Sequence, residues 1–338
     1  MKLSTPLVSV LMPVYNCAGL VRPTVESIIR QTLNEFELVV VDDGSTDGTP
    51  EAVELAAGGD SRLRVVKSEH KGLIPALNLG LDHCRGEFTA RMDGDDICHP
   101  ERLRLQVEFM QSNPDVSVCS SLVRSFPGHA IRGGFRLYEE WLNSLVTHEN
   151  IARDIFVESP VAHPSVMLRT AEIKGLGGYQ EHGWPEDYDL WLRYFVSGKR
   201  FAKVPKTLLF WRAHESRLTF TDSRYALENF MRAKAHYFTK WLKPRHQQVI
   251  VWGAGMTGRR LSKHLVREGL EVSYAVDVDP KKIGRTMRGI PIISLDDLEK
   301  HRDLFIIAAV GSSSARELIR EYLKSTGRRE TIDFICAS

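Results

Sequence analysis

Four short runs dominated by apolar residues, Val8–Met12, Leu38–Val41, Leu63–Val66 and Phe88–Met92, punctuate the first part of the chain. Such runs read as strands, with Val8–Met12 and Leu38–Val41 as strands buried on both faces. Between them lie segments of helical period. Residues 21–31 carry Val21, Val25, Ile28 and Ile29 on one face, and helices are expected over Thr49–Ala57 and Ile74–His83. Strands alternating with helices predict a parallel sheet with right-handed crossovers. A sheet of this kind takes ligands beyond the carboxyl ends of its strands. Three polar loops fall at those ends: PVYN at 13–16, DDGSTDGT at 42–49 and DGDD at 93–96. The topology therefore predicts that all three converge on one crevice.

From about Pro100 the pattern becomes mixed. A helix is expected over Arg102–Gln111, a strand over Val116–Ser120 and a loop over Arg124–Phe135. Another helix spans Asp187–Ser197, with Leu190, Trp191, Tyr194 and Phe195 on its apolar side. The helix at 224–242 has an apolar stripe of Leu227, Phe230, Met231, Phe238, Trp241 and Leu242, with Arg232, Lys234, Lys240 and Lys243 as cations. Docking between domains is the favoured reading of that helix, and attachment to an anionic membrane surface the alternative. After a linker at Pro244–Gln247 a second βα block starts with QVIVW. Its turn, GAGMTG, gives Gly253, Gly255 and Gly258 the dinucleotide-fingerprint spacing, and Asp277 ends the next strand. The expected fold is α/β throughout: a first domain over 1–243, including the helix at 224–242, then a smaller parallel, Rossmann-like domain over 248–338.

Asp93, Asp95 and Asp96 crowd four residues directly after a strand. Carboxylates so close repel one another and need a cation or hydrogen-bond donors nearby, so a divalent-ion site stands against a solvated acidic turn. Asp42 and Asp43 end the second strand, either as part of a helix N-cap region or as acceptors for a nucleobase or ribose. Asp187 follows Pro185 at a helix start, where the dipole favours an ionised carboxylate. Glu186 either orders the loop or binds a substrate, Asp189 reads as a helix-face residue, and His163, before Pro164, as a pocket wall. Composition narrows the class. The net charge of +2 gives no general argument for nucleic-acid binding. No run of about 18 apolar residues suggests a membrane span, and the N-terminus lacks the layout of an export signal. Cys17, Cys84, Cys98, Cys119 and Cys336 are scattered, odd in number and never in CxxC spacing, which argues for reduced thiols in a cytoplasm and against structural zinc.

Eight segments carry a resemblance. VSVLMPVYN, FELVVVDDGSTDGTPE, KGLIPALNLGL, GEFTARMDGDDICHPERL, HPSVMLR, GGY, PEDYDLWLR and LLFWRAHES occur in the order seen in family 2 glycosyltransferases of the GT-A fold, and the chain resembles that family over this stretch. The resemblance implies roles. Asp93 and Asp95 look like the DXD motif, Asp95 ligating Mn²⁺ or Mg²⁺ and Asp93 contacting ribose or a metal-bound water. Pro13, Val14 and Tyr15 would line the base pocket, with Asp42 or Asp43 on the base edge. Asp187 matches the acid of the ED motif, the general base, and His214 a late histidine that reaches metal or diphosphate. One departure stands out: where many members have an arginine before the asparagine of PALN, this chain has Leu77. The diphosphate must then find charge elsewhere, and Lys71 and Arg91 are the candidates. Acceptor specificity is expected between the two motifs, over residues 135–160, where Tyr138, Trp141 and Phe156 would either stack on sugars or form an amphipathic core; Glu186 and His163 are further acceptor-site candidates.

The resemblance implies an inverting, metal-dependent enzyme. It would move a sugar from a UDP- or dTDP-sugar to a glycan or lipid-linked glycan hydroxyl in cell-envelope polysaccharide synthesis, in the cytoplasm or peripherally at the inner face of the membrane. The C-terminal block is similar to small Rossmann-like domains attached to sugar-modifying enzymes. Its roles divide among structural or homo-oligomerising, nucleotide or nucleotide-sugar binding, and NAD-dependent redox, with no hydride-transfer acid or base in view. Two other classes compete with the transferase reading: a bifunctional protein with an NAD-dependent second domain, and a non-catalytic sugar-nucleotide sensor. The intact DGDD, ED and WRAH segments argue against the sensor.

Overall fold

A computed structural model describes residues 5–131, 133–215 and 217–338. The first four residues, part of the stretch read for an export signal, lie outside the described residues. So do Arg132 of the predicted loop and Ser216 of the last motif. The chain forms two compact units. The first comprises Met1–His148, Val161–His182 and Gly198–Thr221; the second comprises Glu149–Pro160, Gly183–Ser197 and Asp222–Ser338.

In chain order the elements are β1 (Val8–Val14), α1 (Ala18–Ile29), β2 (Phe36–Asp42), α2 (Thr49–Ala57), β3 (Leu63–Lys67), α3 (Leu73–His83), β4 (Phe88–Arg91), β5 (Ile97–Cys98), α4 (Arg102–Ser112), β6 (Val116–Phe126), α5 (Gly133–Ser144), α6 (His148–Asp154), β7 (Met167–Arg169), α7 (Thr170–Gly175), α8 (Glu186–Val196), β8 (Arg200–Arg212), α9 (Leu218–Thr221) and α10 (Leu227–Leu242). The second block continues with β9 (Gln248–Trp252), α11 (Met256–Arg267), β10 (Glu271–Val276), β11 (Thr286–Met287), β12 (Ile290–Ile293), α12 (Leu295–Leu298), β13 (Phe305–Ala308), α13 (Ser313–Ser325) and β14 (Phe334–Cys336).

The sheet of the first unit runs β3-β2-β1-β4-β7-β6-β8-β5. Strands β1 to β4 are mutually parallel, whereas β7 is antiparallel to both neighbours. All seven residues of β1 and of β2 are buried, as central parallel strands should be. Their buried polar members satisfy one another: Ser9 Oγ donates to Glu37 at 2.6 Å, and the Arg85 guanidinium caps the same carboxylate. The register pairs Val14 with Asp42 and Leu11 with Arg91, so the three loops start side by side.

Two parts differ from expectation. The loop placed at Arg124–Phe135 starts later, because β6 stays paired with β8 as far as Phe126 opposite Arg212. Strand β8 itself breaks the apolar alternation with Lys203, Pro205 and Lys206. The register shifts where Val204 and Thr207 oppose Ser121 and Leu122, the bulge expected where proline cannot donate. Lys203 is buried and donates to the Leu142 carbonyl; burial lowers its pKa to about 7.

The sheet of the second unit runs β11-β12-β10-β9-β13-β14, parallel except for β11. Counting only the parallel strands, this is the 3-2-1-4-5 order of a doubly wound Rossmann-like sheet, with its switch point between the ends of β9 and β13. In the same unit α10 packs against α8 and α11. Lys234, counted among the cations of that helix, is buried instead. Its Nζ donates to the carbonyls of Val157 and Ala337, and burial lowers its pKa to about 8. Phe156 is also fully buried, its ring stacked 3.7 Å from that of Phe238, so it belongs to this core and offers no face to a sugar. Among the described residues no helix is long and apolar enough to cross a membrane.

Candidate active site

At the carboxyl end of the first sheet the three loops are tied together by named bonds. Asn16 N donates to Ser45 Oγ, Thr46 N to Asn16 Oδ1, and Cys17 N to Thr49 Oγ1. Thr24 of α1 donates to the Gly94 and Asp96 carbonyls. A Cβ at Gly94 would stand 3.0 Å from a Val14 methyl and 3.2 Å from Cys17 Sγ, so the acidic turn rests directly on the end of β1. The predicted convergence is thus what the structure has.

Within that turn the ligand atoms of Asp93, Asp95 and Asp96 lie within 4.8 Å of one another. Each carboxylate has a different partner. Asp93 is ion-paired with the buried Arg91. Asp95 Oδ2 lies 2.6 Å from His214 Nε2, and its carbonyl accepts from Arg212 Nε. Asp96 accepts from the Arg212 backbone N–H through Oδ1, while its buried Oδ2 has no hydrogen-bond partner. Burial first, then the charges of Asp93 and Asp95, raises the Asp96 pKa well above the usual carboxylate range. The segment after β8 therefore meets the turn and brings His214 to the carboxylates.

The base-side residues also assemble. Pro13 and Val14 are buried at the end of β1, and the half-exposed Tyr15 ring stacks on His70 with centroids 4.0 Å apart. Asp42 is buried, and its Oδ1 accepts from Ser45 N. Asp43 holds the turn at 70–72: its oxygens accept from the backbone N–H groups of Lys71 and Gly72, and it pairs with His70 Nδ1 at 2.8 Å. Lys71 thus reaches Asp43 through its backbone, while its exposed ammonium lies 3.5 Å from Glu69. Of the two cations considered for the diphosphate, Lys71 points to solvent and Arg91 is committed to Asp93. Leu77 is fully buried. His163 is a buried wall residue bonded to Tyr179 Oη at 2.9 Å, and burial, then the nearby Arg91 charge, holds its pKa well below the ordinary value. Trp141 packs with Tyr138 in a cluster that also contains Phe135 and Trp211. His70, Arg212 and Arg217 are site-facing residues that no spacing rule singled out.

The first turn of α8, in the second unit, holds three acids in different states. Glu186 is 1% exposed; Tyr225 Oη donates to it, 3.1 Å from each oxygen, and Arg224 lies 3.8 Å away. Asp189 is not the helix-face residue expected. It is fully buried and accepts from Trp184 Nε1, Tyr237 Oη and Arg193 Nε. Asp187 is half-buried and accepts from its neighbour's backbone N–H.

In the Rossmann-like sheet the fingerprint glycines have distinct reasons. A Cβ at Gly258 would overlap the Gly253 carbonyl oxygen at 1.7 Å, and Gly253 adopts φ +120° against Ala309. A Cβ at Gly255 would meet nothing within 4 Å, so that position faces open space before α11. Asp277 is spent on the protein, accepting from Ala254 N, Asp279 N and Lys282 Nζ. Beside the loop is a cavity of about 300 Å³ lined mainly by apolar side chains, among them Trp252, Val278, Leu295, Leu318 and Tyr322.

The sheet order and the acidic turn at its carboxyl end are those of a GT-A-type fold. The comparisons agree. The profile of glycosyl transferase family 2 matches residues 9–173, and that of a CoA binding domain residues 245–329. The chain is 32% identical over 231 residues to the putative glycosyltransferase EpsE of Bacillus subtilis, covering 67% of this chain and 80% of that protein. It is 38% identical over 189 residues to the amylovoran biosynthesis glycosyltransferase AmsE of Erwinia amylovora, covering 56% and 68%. Among solved structures, S. aureus TarS 1–349 in complex with UDP-GlcNAc has the same fold, with a TM-score of 0.56 at 24% identity over 69% of this chain and 66% of that one. The chain belongs to glycosyltransferase family 2 and is a glycosyltransferase carrying a second, Rossmann-like domain.

Proposed function

We propose that the protein transfers a sugar, with inversion and with help from a divalent cation, from a nucleoside-diphosphate donor to a hydroxyl of a glycan or lipid-linked glycan. The observation that carries this reading is the trio Asp93, Asp95 and Asp96, with one buried Asp96 oxygen lacking a hydrogen-bond partner. A set of hard oxygen donors of this kind suits Mg²⁺ or Mn²⁺. Asp95 and Asp93 would hold the ion, with His214 beside them, and the ion would supply positive charge to the departing diphosphate. The chain's own groups do the rest. The Tyr15–His70 stack, Pro13 and Val14 bind the base, Asp42 meets its edge or the ribose, and Asp187 takes the acceptor proton. Glu186, Trp141 and His163 remain acceptor-side proposals. The setting proposed is cell-envelope polysaccharide synthesis, with a UDP- or dTDP-sugar as donor. A panel of UDP-, dTDP- and GDP-sugars with Mn²⁺ tests the reading: one or more should release nucleoside diphosphate, and no release from any of them would contradict it.

For the chain's later part we propose that residues 1–243 carry the transfer chemistry and that residues 248–338 bind a nucleotide. The apolar cavity beside the open Gly255 supports the second half. Titrating the whole protein with NAD and with CoA, following Trp252 emission, should give saturation by at least one. Absence of any response to either would leave a structural or oligomerising domain. Peripheral membrane attachment through α10 is weakened by the burial of Lys234.

A further inference from the structure

Among the described residues, Arg91, Arg212, His214 and Arg217 lie about the acidic turn, and the first three are already engaged. Arg91 is paired with Asp93, Arg212 donates to the Asp95 carbonyl, and His214 is bonded to Asp95. Arg217 differs. Its guanidinium lies over the Trp211 ring, 4.3 Å from the centroid, and 5.5 Å from that of Phe135. Among the described residues it makes no ion pair and its guanidinium no hydrogen bond. Its charge nevertheless reaches Asp93 and Asp96. Stacking uses the plane of a guanidinium and leaves its five N–H groups at the edge, in the fork that suits phosphate oxygens. The platform beneath it is fixed: Trp211 is 8% exposed, and its ring packs on Phe135 and Tyr138 at 5.1 and 6.4 Å. Trp211 belongs to β8, whose next residues Arg212 and His214 touch the turn, so the platform and the carboxylates are parts of one short segment's packing.

We propose that Arg217, held on Trp211 and Phe135, grips the donor diphosphate and supplies the charge that an arginine at the Leu77 position would otherwise bring. This rests on the nucleoside-diphosphate reading of the site. The probes are UDP, dTDP and GDP with their monophosphates, bound to the whole protein in Mn²⁺. Charge-assisted hydrogen bonds predict that Arg217→Ala weakens the diphosphate that binds by about tenfold or more. The matching monophosphate should change by less than about twofold, because it offers fewer phosphate oxygens to the same fork. Arg217→Lys should fall between, keeping charge but not the fork. Unchanged diphosphate affinity in Arg217→Ala overturns the proposal. Equal loss for diphosphate and monophosphate also overturns it, since that is what a collapsed aromatic platform would give, and a lowered melting temperature would mark it. If the wild-type protein binds no diphosphate, the donor reading fails first and takes this proposal with it.

Discussion

Replacing Asp187 with Asn is expected to slow turnover by at least about 100-fold while donor affinity stays near wild type. The attacking hydroxyl must lose its proton as the new glycosidic bond forms, and a placed carboxylate contributes roughly 10² to 10⁴ in rate. The first turn of α8 offers three acids, and their surroundings separate them. Asp189 is saturated by Trp184, Tyr237 and Arg193, and Glu186 is buried against Tyr225 and Arg224. Asp187 alone of the three is half-buried. Neighbours on a helix point about 100° apart, so Glu186 and Asp187 need not share a task. Glu186→Gln should therefore cost less in turnover and more in acceptor binding. If Asp187 only starts the helix, Asp187→Asn would cost at most about 1 kcal/mol of stability and little rate. A near-wild-type rate would remove the base assigned here.

Asp95→Ala is expected to abolish the metal-dependent part of nucleotide binding, a loss of more than about 100-fold, since even outer partners of a metal ligand are worth 10- to 100-fold. The substitution also releases His214 and leaves Asp93 paired with Arg91, so the fold of the turn should survive. Calorimetric titration of the nucleoside diphosphate with and without Mn²⁺ measures it. Equal affinity for wild type and variant in Mn²⁺ would mean that the trio is an acidic turn and nothing more.

The parts of this protein that were legible in its sequence are those where burial is nearly complete. Strands β1, β2 and β4 are apolar runs because both their faces are covered, and the topology they imply carried the acidic loops to one crevice. What was illegible depends on partners far away in the chain. Asp189 looks like a surface acid until Tyr237, 48 residues on, supplies a hydroxyl. Lys203 and Lys234 look like solvated cations until carbonyls from distant segments receive them. Strand β8 hid behind Lys203, Lys206 and a proline. The family resemblance brought out His214, but the stacking of Tyr15 on His70 and of Arg217 on Trp211 arises from loops whose mutual distance no periodicity encodes.

The central claim, that the acidic turn works as a cation-dependent site for a sugar nucleotide, is met most directly by one assay. The wild-type protein is given the donor that it turns over, and release of nucleoside diphosphate is followed in EDTA and again after excess Mn²⁺ or Mg²⁺ is returned. Release should cease in chelator and recover with the ion. Full turnover in chelator would contradict the account.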